Sequence, residues 1–232
     1  MKTKHLHIGI IMDGNRRFAK TLNLNPWKGH EYGEKKVFSL LEWCKELEIK
    51  EVTIYAFSQQ NKNRPEKELK YLMDLFEKTT NKILKDKEVI KSGTKITILG
   101  DKTIFSKELQ EKLKELEQKT KQNKKYYLNI ALGYGGREEI ISATKKIAKL
   151  VQDKKLEINE INEKEFEKHL YSKNEPDIII RTGGDCRTSN FLPWQSTYSE
   201  WFFIKKKWPE FTRKDLEQCI NDYKKRERRF GK

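Results

Sequence analysis

Cysteine is scarce in this chain, and long apolar runs are absent. The three cysteines, Cys44, Cys186 and Cys219, lie far apart and lack the spacing of metal ligands. We therefore expect a reducing compartment and no disulfide framework. The apolar run at residues 8–12 has the length of a strand and is too short for a membrane span or a signal peptide. These absences predict a cytoplasmic protein.

Two nucleotide-binding motifs are missing as well. The chain has no Gly-x-x-x-x-Gly-Lys-[Ser/Thr], which excludes a P-loop, and no Gly-x-Gly-x-x-Gly after a predicted strand, which argues against a dinucleotide site. We find no internal repeat, low-complexity linker or break in composition. The 232 residues are therefore predicted to form one domain, residues 1–232.

Positive charge, by contrast, is in excess. Lys and Arg number 50 against 35 Asp and Glu, for a net charge of +15. This excess indicates anionic partners, namely nucleic acid, diphosphates or an anionic membrane surface. Solvated lysine faces, such as residues 205–207, explain the same composition, so composition alone leaves these alternatives open.

The most informative stretch runs from residue 8 to residue 20. A buried-strand pattern ends abruptly in Asp13, Gly14, Asn15, Arg16 and Arg17. In α/β sheets, ligands bind at the carboxyl ends of the strands. A carboxylate offers the hard oxygen ligands that Mg²⁺ prefers, and paired guanidinium groups match phosphate oxygens. The stretch predicts a metal-assisted diphosphate site.

Strand patterns alternate with helical patterns along the rest of the chain. Further strands are predicted at residues 51–57, 95–99, 126–132, 177–180 and 201–204. This alternation predicts an α/β fold with a mostly parallel central sheet of about six strands, flanked by helices. The polar tips at residues 58–64, 133–137 and 181–185 would then share one edge of the sheet.

Phosphate-type donors fall into two groups at that edge. One group, at the first strand, comprises Asn15, Arg16, Arg17 and His30; the other, at the fifth, comprises Arg181, Arg187 and Ser189. Two facing sites for anionic substrates would suit a reaction that joins two diphosphates.

The motifs together resemble those of the cis-prenyltransferase family, of the undecaprenyl diphosphate synthase type. They occur in the family's order at residues 7–20, 29–30, 55–65, 134–137, 180–185, 187–192, 194–195, 198–200, 208–209 and 226–231. Each motif alone is moderately specific, but the ordered set covers nearly the whole chain. The resemblance implies Mg²⁺-dependent addition of isopentenyl diphosphate to an allylic diphosphate, usually farnesyl diphosphate, to give a long Z-polyprenyl diphosphate. Undecaprenyl diphosphate, the lipid carrier for cell-wall glycan synthesis, is such a product.

The resemblance also implies roles for individual residues. Asp13 would bind Mg²⁺, Glu200 would be the second metal-site carboxylate, and Asn61 is a candidate for the proton-removal step. The primer's diphosphate would be held by Gly14, Asn15, Arg16, Arg17 and His30, with Phe18 packed beside it. Isopentenyl diphosphate would be held by Arg181, Arg187, Thr188 and Ser189, while Ser58 and Arg64 would lie near the condensing carbons.

Product, assembly and location follow from the same resemblance. A hydrocarbon product needs an apolar tunnel between sheet and helices, with the helices at residues 36–47 and 65–90 as its walls; ordinary core packing is the alternative for each of these residues. The family fold is a homodimer, and its basic C-terminal tail, here from about residue 224, reaches towards the neighbouring site. Release of a lipid product implies peripheral contact with a membrane.

Two other functions compete with catalysis. A nucleic-acid-binding protein would show a recognisable motif or a basic helix, whereas the arginines here gather at strand ends, so we expect no nucleic-acid partner. A non-catalytic prenyltransferase-like subunit would have lost the Asp-Gly-Asn segment, which this chain keeps at residues 13–15. The family's usual residues are replaced at Pro26, Lys62, Gly133 and Cys186, and these departures bear on how substrates are handled.

Overall fold

The fold is built on one six-stranded parallel sheet. The computed structural model describes residues 5–226, without the side chains of Glu88 and Ile90. The strands are β1 (His7–Ile11), β2 (Glu51–Ser58), β3 (Thr94–Leu99), β4 (Tyr126–Tyr134), β5 (Ile178–Arg181) and β6 (Glu200–Phe203), in the order β3-β4-β2-β1-β5-β6. Every neighbouring pair is parallel. The predicted α/β fold class is confirmed.

Helices cover both faces of the sheet. They are α1 (Asn15–Thr21), α2 (Gly29–Glu46), α3 (Glu66–Lys85), α4 (Lys87–Lys91), α5 (Lys107–Thr120), α6 (Gly136–Gln152), α7 (Glu163–Glu167) and α8 (Arg213–Lys225). Side-chain caps are present at Ser106, Asn162 and Thr212, whose side chains accept hydrogen bonds from backbone N–H groups of the following helix. The basic tail predicted from residue 224 begins in α8, but its residues 227–232 lie outside the described part.

The helix predicted at residues 65–90 is divided in two. Asp86 leaves the helical conformation, with φ −83° and ψ 100°, and its carboxylate accepts a hydrogen bond from the N–H of Val89. Asp is a poor residue inside a helix and a good one at a helix start, because its short side chain competes for backbone N–H groups. The chain therefore ends α3 and begins α4 at this residue.

Two neighbouring interior strands, β1 and β5, explain why the sheet forms. All residues of β1 and β5 are buried, and Ile8 lies between Val52 and Ile178 in register. Continuous apolar runs of this kind are typical of parallel strands covered on both faces. On one face, α2, α3 and α5 pack against the sheet around Leu40, Leu72 and Leu113. Within residues 5–226, no helix combines the length and the apolar composition needed to cross a membrane.

The amino edge of the sheet, where the strands begin, carries a buried polar network. Glu51 is 3% exposed and accepts hydrogen bonds from the side-chain amides of Asn129 (2.8 Å) and Asn174 (2.9 Å). His7 Nε2 lies 2.8 Å from Thr53 Oγ1. Burial lowers the pKa of His7 below its ordinary value, although the charge of Glu51 opposes this shift. The folded protein therefore holds His7 in its neutral form.

This burial predicts a loss of stability in mild acid. In the unfolded chain His7 takes up a proton near pH 6.5, whereas the folded chain resists protonation, so the unfolded state binds more protons. We expect the free energy of unfolding to fall as pH drops below 6.5, with His7 contributing at most about 1.4 kcal/mol per pH unit. Urea denaturation from pH 7 to 5 should show a shallower pH dependence for His7→Gln than for the wild type. Equal slopes would contradict a buried neutral His7.

Candidate active site

The ends of β1, β2 and β5 open onto a cleft of about 770 Å³ at the carboxyl edge of the sheet. Parallel strands all end at the same edge, so residues distant in sequence meet here. Ten of the residues predicted for the site line the cleft: Asp13, Asn15, His30, Ser58, Asn61, Arg64, Arg181, Arg187, Thr188 and Ser189. The expectation that the polar strand tips share one edge is confirmed.

An ion pair between Asp13 and Arg181 lies at the centre of the cleft. Arg181 ends β5 and is 3% exposed, and its Nη2 donates to Asp13 Oδ2 at 2.9 Å. Its Nη1 donates to the carbonyl of Arg187 (2.5 Å) and to Ser189 Oγ (2.6 Å). Burial alone would raise the pKa of Asp13, but the hydrogen bond and charge of Arg181, with the charge of Arg17, hold that pKa below its usual value. Asp13 is therefore held in its ionised, carboxylate form.

Gly14 turns the chain from this carboxylate into α1. Its φ is +101°, a left-handed conformation that favours glycine, and a Cβ at this position would lie 2.8 Å from Lys207 Cβ. The N–H of Gly14 donates to Asp13 Oδ1 at 2.6 Å. A side chain at residue 14 would push Asp13 and α1 away from Lys207, in the segment that follows β6.

α1 carries four of the predicted residues, Asn15, Arg16, Arg17 and Phe18, of which Asn15 lines the cleft. Arg17 Nη2 lies 3.2 Å from Asp13 Oδ1 and 3.4 Å from Asp185 Oδ2, so it joins two carboxylates. Arg187 Nη2 donates to the same oxygen of Asp185 at 2.9 Å. Phe18 stands apart from these charges, with its ring edge-on to Tyr32 at 5.3 Å between centroids. The Asn15 side chain forms a hydrogen bond within its own segment of the chain, in which its Nδ2 donates to the carbonyl of Met12.

A second charged cluster forms around Glu68, which sequence analysis missed. Glu68 is 1% exposed; its Oε1 lies 3.0 Å from Arg64 Nη1 and 3.3 Å from His30 Nε2, and its Oε2 lies 3.7 Å from Arg16 Nε. Burial and the charge of Arg64 lower the pKa of His30, against the opposing effect of Glu68. One carboxylate thus holds Arg64 and a neutral His30 where they line the cleft, and contacts Arg16 as well. The only sequence signal was an acid in the first turn of a helix, which has a simpler explanation in the helix dipole.

The segment after β2 is held by a reciprocal cap. The Asn61 N–H donates to Ser58 Oγ (3.2 Å), and the Ser58 N–H donates to Asn61 Oδ1 (3.0 Å). These bonds close the 3₁₀ turn Gln59–Asn63 and fix both side chains beside the cleft. The carboxamide oxygen of Asn61, engaged in this way, can orient neighbouring groups. A carboxamide is too weak a base to keep a proton that it takes up.

Glu200 is placed away from the other predicted residues. It begins β6 and pairs in register with Ile178 at the start of β5, which itself pairs with Ile8. Asp13 follows the end of β1, so the two carboxylates lie at opposite edges of the sheet. Glu200 contacts Arg226 instead. Within one chain the predicted metal pair of Asp13 and Glu200 is therefore not formed, and the carboxylate that shares cations with Asp13 is Asp185.

An apolar cavity adjoins the cleft. It has a volume of about 150 Å³ and lies between the sheet and the helices α2 and α3. Its walls include Val37, Phe76 and Leu132, whereas Met12, Asn15, His30 and Ala56 line both the cavity and the cleft. The cationic cleft and the apolar cavity thus share part of their walls.

Comparison with known proteins agrees with this arrangement. The sequence profile of the family described as "Putative undecaprenyl diphosphate synthase" matches residues 11–231. A tritrans,polycis-undecaprenyl-diphosphate synthase (geranylgeranyl-diphosphate specific) of Pyrococcus abyssi is 45% identical over 228 residues, which cover 97% of this chain and 86% of the relative. An isoprenyl transferase of Thermus thermophilus is 41% identical, with coverage of 97% and 88%.

Two solved structures share the fold. The lavandulyl diphosphate synthase of Lavandula x intermedia, in complex with dimethylallyl diphosphate, has a TM-score of 0.90 at 33% identity and covers 97% of this chain and 98% of its own. A "probable undecaprenyl diphosphate synthase" from Campylobacter jejuni has a TM-score of 0.81 at 31% identity, with coverage of 99% and 100%. The chain belongs to the undecaprenyl diphosphate synthase family of cis-prenyltransferases, and it is a transferase of prenyl groups.

Proposed function

We propose that this enzyme extends an allylic diphosphate by repeated condensation with isopentenyl diphosphate, giving a long Z-polyprenyl diphosphate. The observation that carries the proposal is the cleft itself. Two sets of cationic side chains, around Arg181 and around Glu68, flank Asp13, and an apolar cavity opens from the same space. Such a site suits two diphosphate substrates and a growing hydrocarbon.

The allylic substrate is assigned to the α1 side of the cleft. Departure of its diphosphate leaves a delocalised cation, and negative charge grows on the leaving oxygens. Arg16, Arg17 and Arg64 are held in place by carboxylates before substrate binds, so they stabilise that charge with little reorganisation. Neutral His30 can donate one further hydrogen bond to the diphosphate.

Isopentenyl diphosphate is assigned to the β5 side, where Arg181, Arg187, Thr188 and Ser189 line the cleft. Arg181 Nε is a buried donor without a hydrogen-bond partner among the described residues. Buried donors are costly to leave unpaired, and an anionic ligand oxygen would satisfy this one. Holding the two substrates in line removes much of the entropic barrier, up to about 7–11 kcal/mol for well-oriented groups. Asn61 orients groups near the carbon that loses a proton.

The residues around Asp13 fit a Mg²⁺ ion. Mg²⁺ is usually bound by one or two carboxylates together with substrate phosphates, and Asp13 is an ionised, partly exposed carboxylate with Asp185 nearby. The described residues contain no group of three His, Cys, Asp or Glu that could hold a metal alone, so substrate oxygens would complete the coordination. Mg²⁺ held there would neutralise charge on the leaving diphosphate.

The choice of primer differs between the sequence-based expectation and the relatives. The expectation named farnesyl diphosphate, whereas the archaeal relative from Pyrococcus abyssi is named as specific for geranylgeranyl diphosphate. We therefore propose an allylic diphosphate as the substrate class and geranylgeranyl diphosphate as the first primer to compare with farnesyl diphosphate.

Assembly and location are also proposals. A homodimer is supported by the exposed rings of Tyr198 and Phe203 on and beside the edge strand β6. Peripheral contact with an anionic membrane is supported by Leu22 and Leu24, which are 44% and 39% exposed next to Lys20. We propose a cytoplasmic enzyme whose product serves as a lipid carrier, undecaprenyl diphosphate for cell-wall glycan synthesis being the candidate.

The direct test is incubation of the purified protein with labelled isopentenyl diphosphate, each primer in turn, and Mg²⁺. We expect a ladder of Z-polyprenyl products that disappears when EDTA removes the metal. Comparison of initial rates identifies the primer. Folded protein that makes no product with any allylic diphosphate would favour the alternative, a non-catalytic subunit that supports a partner.

Product length offers a second test, because a second apolar cavity lies next to the first. A second cavity of about 160 Å³ lies deeper between α2 and the sheet, and Phe38, Leu41, Ile83 and Leu128 line both spaces. Phe38→Ala removes the largest of these side chains and should join the cavities. We expect its products to be longer by one or more isoprene units when separated by reversed-phase chromatography.

A matched control is Phe105→Ala, since Phe105 is buried in the same core but lines neither cavity. This variant should lose about 3–5 kcal/mol of stability, as expected for a buried phenylalanine and at least as much as the half-buried Phe38 variant, while its products keep the wild-type length. Equal product lengths in the Phe38→Ala variant and the wild type would contradict a growing chain that reaches this boundary.

A further inference from the structure

The loop that follows β5 has an unusual backbone. Ser189, Asn190 and Leu192 have φ values of +50°, +61° and +49°, in the left-handed region that residues with side chains rarely adopt. Three such residues within four positions are costly, and strain of this kind persists only where surrounding contacts enforce it. Ser189 is also the residue whose hydroxyl meets Arg181.

Asn190 supplies the contacts that enforce this conformation. Its carbonyl accepts a hydrogen bond from the N–H of Gly136, and its Oδ1 accepts one from the N–H of Arg137, each at 2.9 Å. These are the first two N–H groups of α6, and the helix's own N-cap, Gly135, makes no side-chain cap. A residue 53 positions away in sequence therefore caps α6 and ties the loop to it.

Glu138 extends this tie across the cleft. Its Oε2 accepts a hydrogen bond from Asn190 Nδ2 at 3.0 Å, and its Oε1 accepts one from Gln60 Nε2 at 3.1 Å. Gln60 belongs to the 3₁₀ turn that also carries Asn61. One carboxylate thus connects the loop on the β5 side of the cleft to the turn after β2.

We propose that Asn190 and Glu138 are positioning residues that hold the Ser189 loop in its strained conformation for isopentenyl diphosphate. This inference rests on the proposed function, which assigns that substrate to the β5 side. Asn190 fixes the backbone next to Ser189, and Ser189 fixes one nitrogen of Arg181. Glu138 accepts one hydrogen bond on each of its two oxygens, which a carboxylate can do and a carboxamide, with its single oxygen, cannot.

The loop is also anchored from behind, so these residues can be changed without detaching it. Glu139 is 1% exposed and accepts hydrogen bonds from the N–H of Tyr171 (2.7 Å) and from Gln195 Nε2 (3.2 Å). Glu138, by contrast, is exposed. We therefore expect variants of Glu138 and Asn190 to fold and to keep the loop in place, with looser geometry at the cleft.

The experiment is a swap of the two hydrogen-bonding groups. Calorimetry measures the binding of isopentenyl diphosphate alone, which cannot react without a primer. Glu138→Gln and Asn190→Asp should each weaken binding about tenfold, the range expected for one lost hydrogen bond in a positioned site. The double variant should bind within about threefold of the wild type. In that variant the new carboxylate at position 190 can accept from the Arg137 N–H and from the new amide at position 138, whose oxygen still accepts from Gln60.

The sign of the Glu138→Gln effect separates positioning from net charge. This variant removes a negative charge near an anionic ligand, so electrostatics alone predicts tighter binding. Asn162→Asp, which alters the N-cap of α7 away from the cleft, serves as the matched control and should leave the affinity unchanged. In turnover assays, Asn190→Asp should raise the KM for isopentenyl diphosphate and leave the KM for the primer near its wild-type value.

Two results would overturn the inference. One is wild-type or tighter binding by Glu138→Gln, and the other is a double variant that binds as weakly as the weaker single variant. If the wild type binds isopentenyl diphosphate but forms no product with any primer, the proposed function fails and the binding comparison still decides the role of these two residues.

Discussion

The ion pair between Asp13 and Arg181 is the contact on which the site depends. It joins the residue that ends β5 to a carboxylate two positions beyond β1, so it connects two adjacent interior strands at their carboxyl ends. A buried guanidinium group must be paired, and removing one partner of a buried pair typically costs about 3–5 kcal/mol. The other nitrogens of Arg181 hold the loop at residues 187–189. The same contact therefore organises the carboxylate proposed to bind Mg²⁺ and the proposed isopentenyl site.

The two edges of the sheet perform different tasks. At the amino edge, Glu51 accepts a hydrogen bond from Asn129 and His7 contacts Thr53 in a buried polar network, and the strands are held in register. At the carboxyl edge the charged groups use only part of their hydrogen-bonding capacity on one another, and they face a cleft. Between the edges, the helices α2 and α3 leave an apolar cavity against the sheet. A buried polar network, a charged cleft and an apolar cavity are thus separated along one layer of strands.

Much of this could be predicted from the sequence, because the strand patterns and their polar tips are local signals. Six parallel strands and a shared edge required no knowledge of tertiary contacts. The individual roles came from resemblance to a family, and they remain predictions for Asn61, Thr188 and the other ligand-binding residues. Resemblance also assigned Glu200 to the metal site of Asp13; within one chain the two lie at opposite edges of the sheet, because Glu200 begins its strand and Asp13 follows one, and the role of Glu200 stays a prediction.

Other features were beyond local patterns. Glu68 resembles an ordinary acid at a helix start, and only the fold brings His30, Arg64 and Arg16 to it. Asn190 gives no sequence signal for capping α6, since its partners lie more than fifty residues away. The break of the long helix at Asp86 was missed because apolar spacing continues across it. For Glu68 and Asn190 the deciding contacts are between residues far apart in sequence. At Asp86 the outcome depends on a choice between two local conformations.

The most direct test of the central claim is a crystal structure with Mg²⁺, isopentenyl diphosphate and an unreactive allylic thiodiphosphate. We expect one diphosphate to bind Arg181, Arg187 and Ser189, and the other to bind Arg16, Arg17 and His30. The allylic chain should run past Ala56 into the cavity. Diphosphates bound elsewhere, or a cleft that takes neither ligand while the protein turns over, would contradict the central claim.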